Sequence, residues 1–175
     1  MSQYDSDDWI SALATDLLES AVGCWTDDCG RTAPDRRVIV VGPPALDCEM
    51  VAVAIGPIEV NRFEAGARQG VGGCAVSHQA NLTVWLARCV PTLDDRGRPP
   101  DPTDETAAAL GIARDIALLA NGLAQAAFDG LLLPSFASVA CSGIAWGQIS
   151  PQSPQGGMVA VAFPVRFERS GLRYS

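Results

Sequence analysis

The chain is predicted to fold as an α+β domain, with a mostly antiparallel sheet of about four strands flanked by two helices. Three observations carry this. From Val76 to Val90, apolar and polar residues alternate along the chain, as in a strand with one covered face. From Thr103 to Phe128 the chain is apolar on nearly every side, as in a helix covered on more than one side. Between them runs an acidic, proline-rich loop. A chain of 175 residues fits one domain spanning 1–175 and can bury a core without staples.

The elements follow in order. Trp9, Ile10, Leu13, Ala14, Leu17, Leu18 and Ala21 recur at helical spacing. Ser6 or Asp7 caps this helix, Asp7 and Asp8 favour its positive end, and Gly23 ends it. Ser11, Thr15 and Glu19 form its wet face. A polar loop, Trp25–Arg37, leads to a short strand, Val38–Val41, closed by Gly42, Pro43 and Pro44. A second strand region, Asp47–Val60, is interrupted at Gly56 and Pro57, which implies an edge, a bulge or a strand end. Asn61–Gly73, with four glycines, reads as a loop that orders on a partner.

In the alternating strand, Val76, Ala80, Leu82, Val84, Leu86 and Val90 share one side, and Ser77, Gln79, Asn81 and Thr83 the other. Trp85 breaks the polar side and marks where it becomes covered. Asp94 to Gly97 is a turn signal, followed by Pro99, Pro100 and Pro102. Thr103 caps the second helix, which carries Asp104 and Glu105 in its first turn. Its polar stripe is Arg114, Asp115, Asn121 and Gln125; Leu110, Ile112, Ile116, Leu119, Leu123 and many alanines cover the rest. Asp129, Gly130 and Pro134 break the helix. Phe136–Ile149 and Met158–Glu168 read as two further strands, with Pro164 again pointing to an edge or bulge.

Composition excludes several functions. All twelve basic residues are arginine, and the net charge is −8. Met1–Arg37 holds eight acids and three arginines, Pro91–Glu105 five and two, and the remainder is balanced. A protein that grips nucleic acid through its phosphates needs a basic face, which is missing here. The acidic excess serves solubility or forms a surface that repels DNA or docks an arginine-rich partner. No signal peptide opens the chain, and no apolar run approaches the ~20 residues of a membrane span. The six cysteines, Cys24, Cys29, Cys48, Cys74, Cys89 and Cys141, are therefore expected as reduced thiols in a cytosolic protein.

Catalytic constellations are thin. His78, the single histidine, follows Cys74 by four residues, and a cysteine–histidine pair can act as nucleophile and base. Strand geometry sets the two apart on one face, and no third group orients them, so the structural expectation is a hydrogen-bonded histidine at a sheet edge or subunit contact. Cys24 and Cys29 lack the tighter paired spacing of zinc sites, although Cys48, Cys74 and His78 could complete one. Gly70, Val71, Gly72 and Gly73 precede no lysine and open no helix, so no phosphate loop is present. No catalytic, cofactor or metal site is assigned, and the chain reads as a non-enzyme. A small cytosolic enzyme using Cys74 or His78, and a ligand-binding α+β domain, are the rival classes.

The order of elements carries a resemblance. A short first helix and two or three strands precede a strand ending Leu86, Ala87, Arg88, Cys89, Val90, Pro91. An acidic loop and a long helix follow, then closing strands around Gly143–Gln148 and Gly156–Pro164. From about Asp7 to Glu168 the chain resembles the tail terminator proteins of bacteriophages with long non-contractile tails, especially those of actinobacterial hosts; its GC-rich-type composition is compatible. The resemblance implies a hexameric ring in the virion tail or neck, assembled in the host cytoplasm. That ring caps the tail tube, stops its growth and forms the head-joining surface. Its partners would be further copies of the chain, the tube protein and a head-completion or stopper protein. DNA would pass the lumen without specific binding, and no membrane or cofactor is involved. A head–tail stopper or a tube subunit is the closest alternative. Interface candidates are Arg62, Glu64 and Arg68 in one loop, Asp94, Asp95, Arg96 and Arg98 in the other, and Leu119 and Leu123 on the long helix.

Duplex DNA is expected to bind weakly or not at all at physiological ionic strength. Tight binding with a steep salt dependence, measured by fluorescence anisotropy, would contradict this.

Overall fold

The computed structural model describes residues 9–25, 32–63, 75–129, 132 and 141–173, with the backbone alone at 61–63, 75–77, 141–143 and 169–173. In chain order the elements are α1 (Trp9–Gly23), β1 (Arg36–Val41), β2 (Met50–Phe63), β3 (Ala75–Cys89), α2 (Pro102–Phe128), β4 (Cys141–Trp146), β5 (Ser150–Pro151) and β6 (Met158–Arg173). One six-stranded sheet runs β1-β2-β3-β6-β4, with β5 on β6. The fold is α+β with two helices, but the sheet is mixed and larger than expected, because β1 pairs β2 in parallel. The expected cap at Ser6 or Asp7, and the expected starts of the later strand at Phe136 and of the breaker at Gly130, lie outside the described residues.

The alternation of β3 is the organising feature. Ala80, Leu82, Val84 and Leu86 are buried beneath the helices. Their neighbours Val51 and Val53 on β2, and Val161, Phe163, Val165 and Phe167 on β6, extend that floor. Leu13, Ala14, Leu17 and Ala21 of α1 close over it, as their spacing predicts, while Ser11, Thr15 and Glu19 stay wet. On the other face, Trp85 sits between Ala52 and Ala162 in the neighbouring strands. A second cluster gathers there, in which Met50, Ala52, Ala87 and Ala160 are covered by Val38, Leu46, Trp85 and Met158. Small residues around one large ring make room for it, so Trp85 does mark where the polar face becomes covered.

The prolines sit where a ladder has a gap. The register of β2 on β3 shifts between Ile55 and Ile58, so Gly56 and Pro57 form the expected bulge. A Cβ on Gly56 would come within 2.9 Å of the Asn81 carbonyl oxygen, which explains glycine there. Pro164 does not mark a sheet edge, since β6 is a central strand. It falls between the residues that pair β5, Val161 and Ala162, and those that pair β4, Val165 to Arg169. The outer ladder is broken at that point, and a residue without an N–H fits the break.

Helix α2 differs from expectation in three ways. Its N-cap is Asp101 rather than Thr103: the Asp101 carboxylate accepts the Thr103 N–H at 2.8 Å, and Pro102 starts the helix. Its buried stripe is Gly111, Asp115, Leu119, Leu123 and Ala126, so Asp115 belongs to the core and not to the wet face. Gly122 lets α1 and α2 meet closely, as a Cβ there would lie 2.3 Å from the Cys24 sulfur. Finally, α2 is long and apolar enough, at mean hydropathy 1.4, to cross a membrane by length and composition. That corrects the expectation that no segment reaches this threshold. A buried carboxylate paired to a strand, and an i, i+4 stripe turned inward, tie one face of it to the core.

The capping Asp101 carboxyl is held below its ordinary value of 3.8 by the Thr103 backbone N–H and then by its side chain. A depressed folded value means the cap stabilises fully above 3.8 and is lost as pH falls through the folded value. Asp101→Ala should lower the thermal unfolding midpoint at neutral pH. The two proteins should converge below pH 3.8, followed by circular dichroism.

Candidate functional site

The largest polar constellation among the described residues is buried. Arg88 lies on the helix side of β3, two residues beyond Leu86, where alternation carries it under α2. Its Nε meets Asp115 Oδ2 at 2.8 Å, and neither side chain is more than slightly exposed. Trp25 Nε1 donates to the other Asp115 oxygen at 3.1 Å. The Arg88 guanidinium also donates to the Thr32 carbonyl at 2.9 Å, pairs with Glu49, and lies over the Trp25 ring at 5.7 Å. A charge taken out of water demands such saturation. Glu49 is partly exposed, so its own share is screened. With every neighbour already engaged, this cluster is a lock between sheet and helix layer rather than a reactive centre.

The lock continues into the loop before β2. Glu49 has φ +54°, the left-handed region, which costs roughly 1 kcal/mol or more for a residue other than glycine. It is held there from both sides. The Cys89 N–H reaches its carboxylate at 3.4 Å, and Cys48 and Cys89 form a disulfide. The register explains that bond: Met50 lies opposite Ala87, so the chain two residues further on brings 48 to 89. The expectation of reduced thiols is corrected for this pair. Closing a loop of sequence separation 41 is worth ~4 kcal/mol in the chain-entropy treatment. Cys24 is a free thiol whose pKa burial raises to about 11, and it donates to the Ser20 carbonyl, so it is no nucleophile at neutral pH.

The remaining expected chemistry is dispersed. His78 is half-buried, stands edge-on to Trp9 at 6.4 Å, and its buried Nδ1 has no hydrogen-bond partner. Cys74 and Cys29 lie outside the described residues, so the cysteine–histidine and zinc arrangements are not on view. Among the described residues no three metal-ligating side chains come together.

The expected interface residues divide. Asp94 builds its own turn, accepting the N–H groups of Arg96 and Arg98 at 2.8 and 2.9 Å and pairing with the Arg98 side chain at 3.4 Å. Asp94, Asp95, Arg96 and Arg98 are thus presented outward on an ordered tip. The structure does not offer Leu119 and Leu123 to a neighbour, because both are buried in the chain's own core. The i, i+4 stripe through Asp115 turns them inward. The Arg62 side chain, Glu64 and Arg68 lie outside the described residues, while Asn61–Phe63 belongs to β2 rather than to a loop.

Sequence reading missed where the exposed apolar surface is. On α2, Leu110 and Phe128 are 58% and 87% exposed. Together with Ala113, Ala117 and Ala124 they run along the flank opposite the buried stripe. Of these, Ala124 borders a cavity with Trp146, Ile149, Phe163 and Pro164. At the opposite margin of the same layer, Ile39, Val41, Ile58 and Val60 are exposed on β1 and β2. Isolated exposed apolar residues need no explanation; these are gathered on two elements.

No protein-family model and no curated protein matches the chain. Among solved structures, a chain of the "Virion of native gene transfer agent (GTA) particle" is similar at 12% identity and TM-score 0.34, covering 88% of this chain and 92% of that one. At this level the likeness carries no argument about function.

Breaking the lock should be costly, whereas replacing it whole should not. Asp115→Leu leaves the buried Arg88 with only the partly exposed Glu49 as a counter-charge and should cost about 3 kcal/mol in urea unfolding. Adding Arg88→Met to that variant should recover most of the loss. Equal losses in single and double variants would show that the pair is not coupled.

Proposed function

We propose that this chain is a structural subunit of a phage tail, and specifically a tail terminator that forms a ring at the end of the tail tube. The observation that carries the reading is the exposed apolar flank of α2. A helix with this much apolar surface outside its own core has a use for a neighbouring copy. The pattern of elements that resembles tail terminators supports the same reading. So does the charge, which leaves no basic face to hold DNA passing through a lumen.

In this reading the ring is a hexamer in the virion tail or neck, assembled in the cytoplasm of an actinobacterial host. The charged tip at Asp94–Arg98 and the Asn61–Gly73 segment meet the tube protein on one side and the stopper or head-completion protein on the other. The whole chain acts as one domain. Stopper and tube-subunit roles differ from this in how assembly ends: a tube subunit polymerises, while a terminator stops after one ring.

Light scattering and electron microscopy of the protein with purified tail tubes test the reading. Single rings at tube ends are expected. Leu110→Glu combined with Phe128→Ser should abolish them while leaving circular dichroism unchanged. Indefinite polymers would assign the chain to the tube. A protein that stays monomeric and never joins tube ends would overturn the proposal.

A further inference from the structure

A strap crosses the face of the sheet opposite the helices. Strands β1 and β2 are parallel neighbours, so between Val41 and Met50 the chain must travel back the length of β1. Such a return ordinarily takes about a dozen residues or more, most often as a helix. Here Gly42–Glu49 makes it alone, with bends only near its two ends. Its residues alternate as in a strand: Gly42, Pro44, Leu46 and Cys48 are half-buried, while Pro43, Ala45 and Asp47 are exposed. Leu46 packs on the cluster of Met50, Ala52, Ala87 and Ala160, which places the strap over that second core. Gly42, at φ +81°, turns the chain out of β1, and its N–H donates to the Ile55 carbonyl at 2.9 Å. At the far end the Arg36 N–H donates to the Glu49 carbonyl at 3.1 Å, and Cys48 is bonded to Cys89.

We infer that this strap is a redox-latched cover: the Cys48–Cys89 bond holds it down, and a small thiol opens it while the rest of the sheet stays folded. The bond is within reach, since Cys89 is exposed and Cys48 half-buried, and exposed disulfides are the exchangeable ones. The strand side does not depend on it. Cys89 remains opposite Met158 of β6, and the Val90 N–H donates to the Gly157 carbonyl at 2.8 Å. The strap side does depend on it. Pro43 and Pro44 have no N–H to give a neighbour. The Arg36–Asp47 pair is exposed on both sides and so contributes little. The root of the strap, Glu49, carries backbone strain at φ +54°, which favours opening once the bond is gone.

The chemistry is thiol–disulfide exchange with a small-molecule disulfide as oxidant. Cys89, the exposed member, gives up its proton, and its thiolate attacks the small disulfide. A mixed disulfide forms and one small thiolate leaves. The Cys48 thiolate then attacks the Cys89 sulfur, which closes the Cys48–Cys89 bond and releases the second small thiolate. The two protons lost by the cysteines end on the two released thiols, and the two electrons lost reduce the small disulfide. A small thiol reverses both steps. Reducing surroundings therefore open the strap and oxidising ones latch it.

The test uses the wild-type chain in buffers of reduced and oxidised glutathione, with free thiols alkylated and located by peptide mass spectrometry. Cys48 and Cys89 should open and close together and reversibly, with circular dichroism unchanged. Proteolysis reports local opening, so endoproteinase Asp-N should cut before Asp47 about tenfold or more faster in the reduced protein. Cys89→Ser should be cut at the fast rate in either buffer. Equal cutting in the two states, slow cutting of Cys89→Ser, or a reduction that takes the circular dichroism signal with it would overturn the latch. None of these readouts involves a ring or a tail tube, so the latch stands or falls apart from the reading above.

Discussion

The ion pair between Arg88 and Asp115 is the constraint on which the rest of this structure depends. It joins the end of β3 to the middle of α2 across the core, inside a shell made by Trp25, Thr32 and Glu49. An apolar pair could fill the same space at little cost in stability. What the charges add is position: Asp115 can face only one way, and this sets the rotation of a helix that would otherwise have several apolar faces to choose from. With Asp115 turned inward, Leu119 and Leu123 follow it into the core, and Leu110 and Phe128 are turned out.

That rotation divides the apolar residues of the chain into two populations. One closes the core over the long strands. The other is left at the margins of the helix layer, on α2 at one end and on β1 and β2 at the other. The high hydropathy of α2 has the same origin, as its apolar residues lie both on the buried stripe and on the exposed flank. Such a helix satisfies a composition test for a membrane span while being anchored by a buried charge to a strand.

Much of this was legible in the sequence, and the reasons are local. The period of two in Val76–Val90, the period near 3.6 in α1, and the punctuation at Gly56 and Pro57 all act over a few residues, so their signals survive in the order of letters. What was not legible depends on contacts distant along the chain. Asp115 looked like a member of a wet stripe because its partner lies on another element. Cys48 and Cys89 looked like reduced thiols because their meeting depends on a strand register. The parallel strand β1 was read as one short apolar run, and nothing within that run states the direction of its neighbour. Leu119 and Leu123 looked available for the same reason that Leu110 looked buried: an apolar helix does not announce its rotation.

The ends of the outer strands have their cause in the same punctuation. Gly42, Pro43 and Pro44 end β1 beside Ile55, and the bulge at Gly56 and Pro57 starts the free half of β2 directly after it. Proline and glycine here do more than interrupt a ladder. They keep the first strand from covering the upper half of the second. At the far side, the break at Pro164 separates the short β5 from β4, so β4 is confined to that same upper half. Two independent interruptions thus set where the described outer ladders lie, β1 beside the lower half of β2 and β4 beside the upper half of the sheet. The same bulge is why Ile58 and Val60 are exposed: β1 ends beside Ile55 and no residue of it stands beside them.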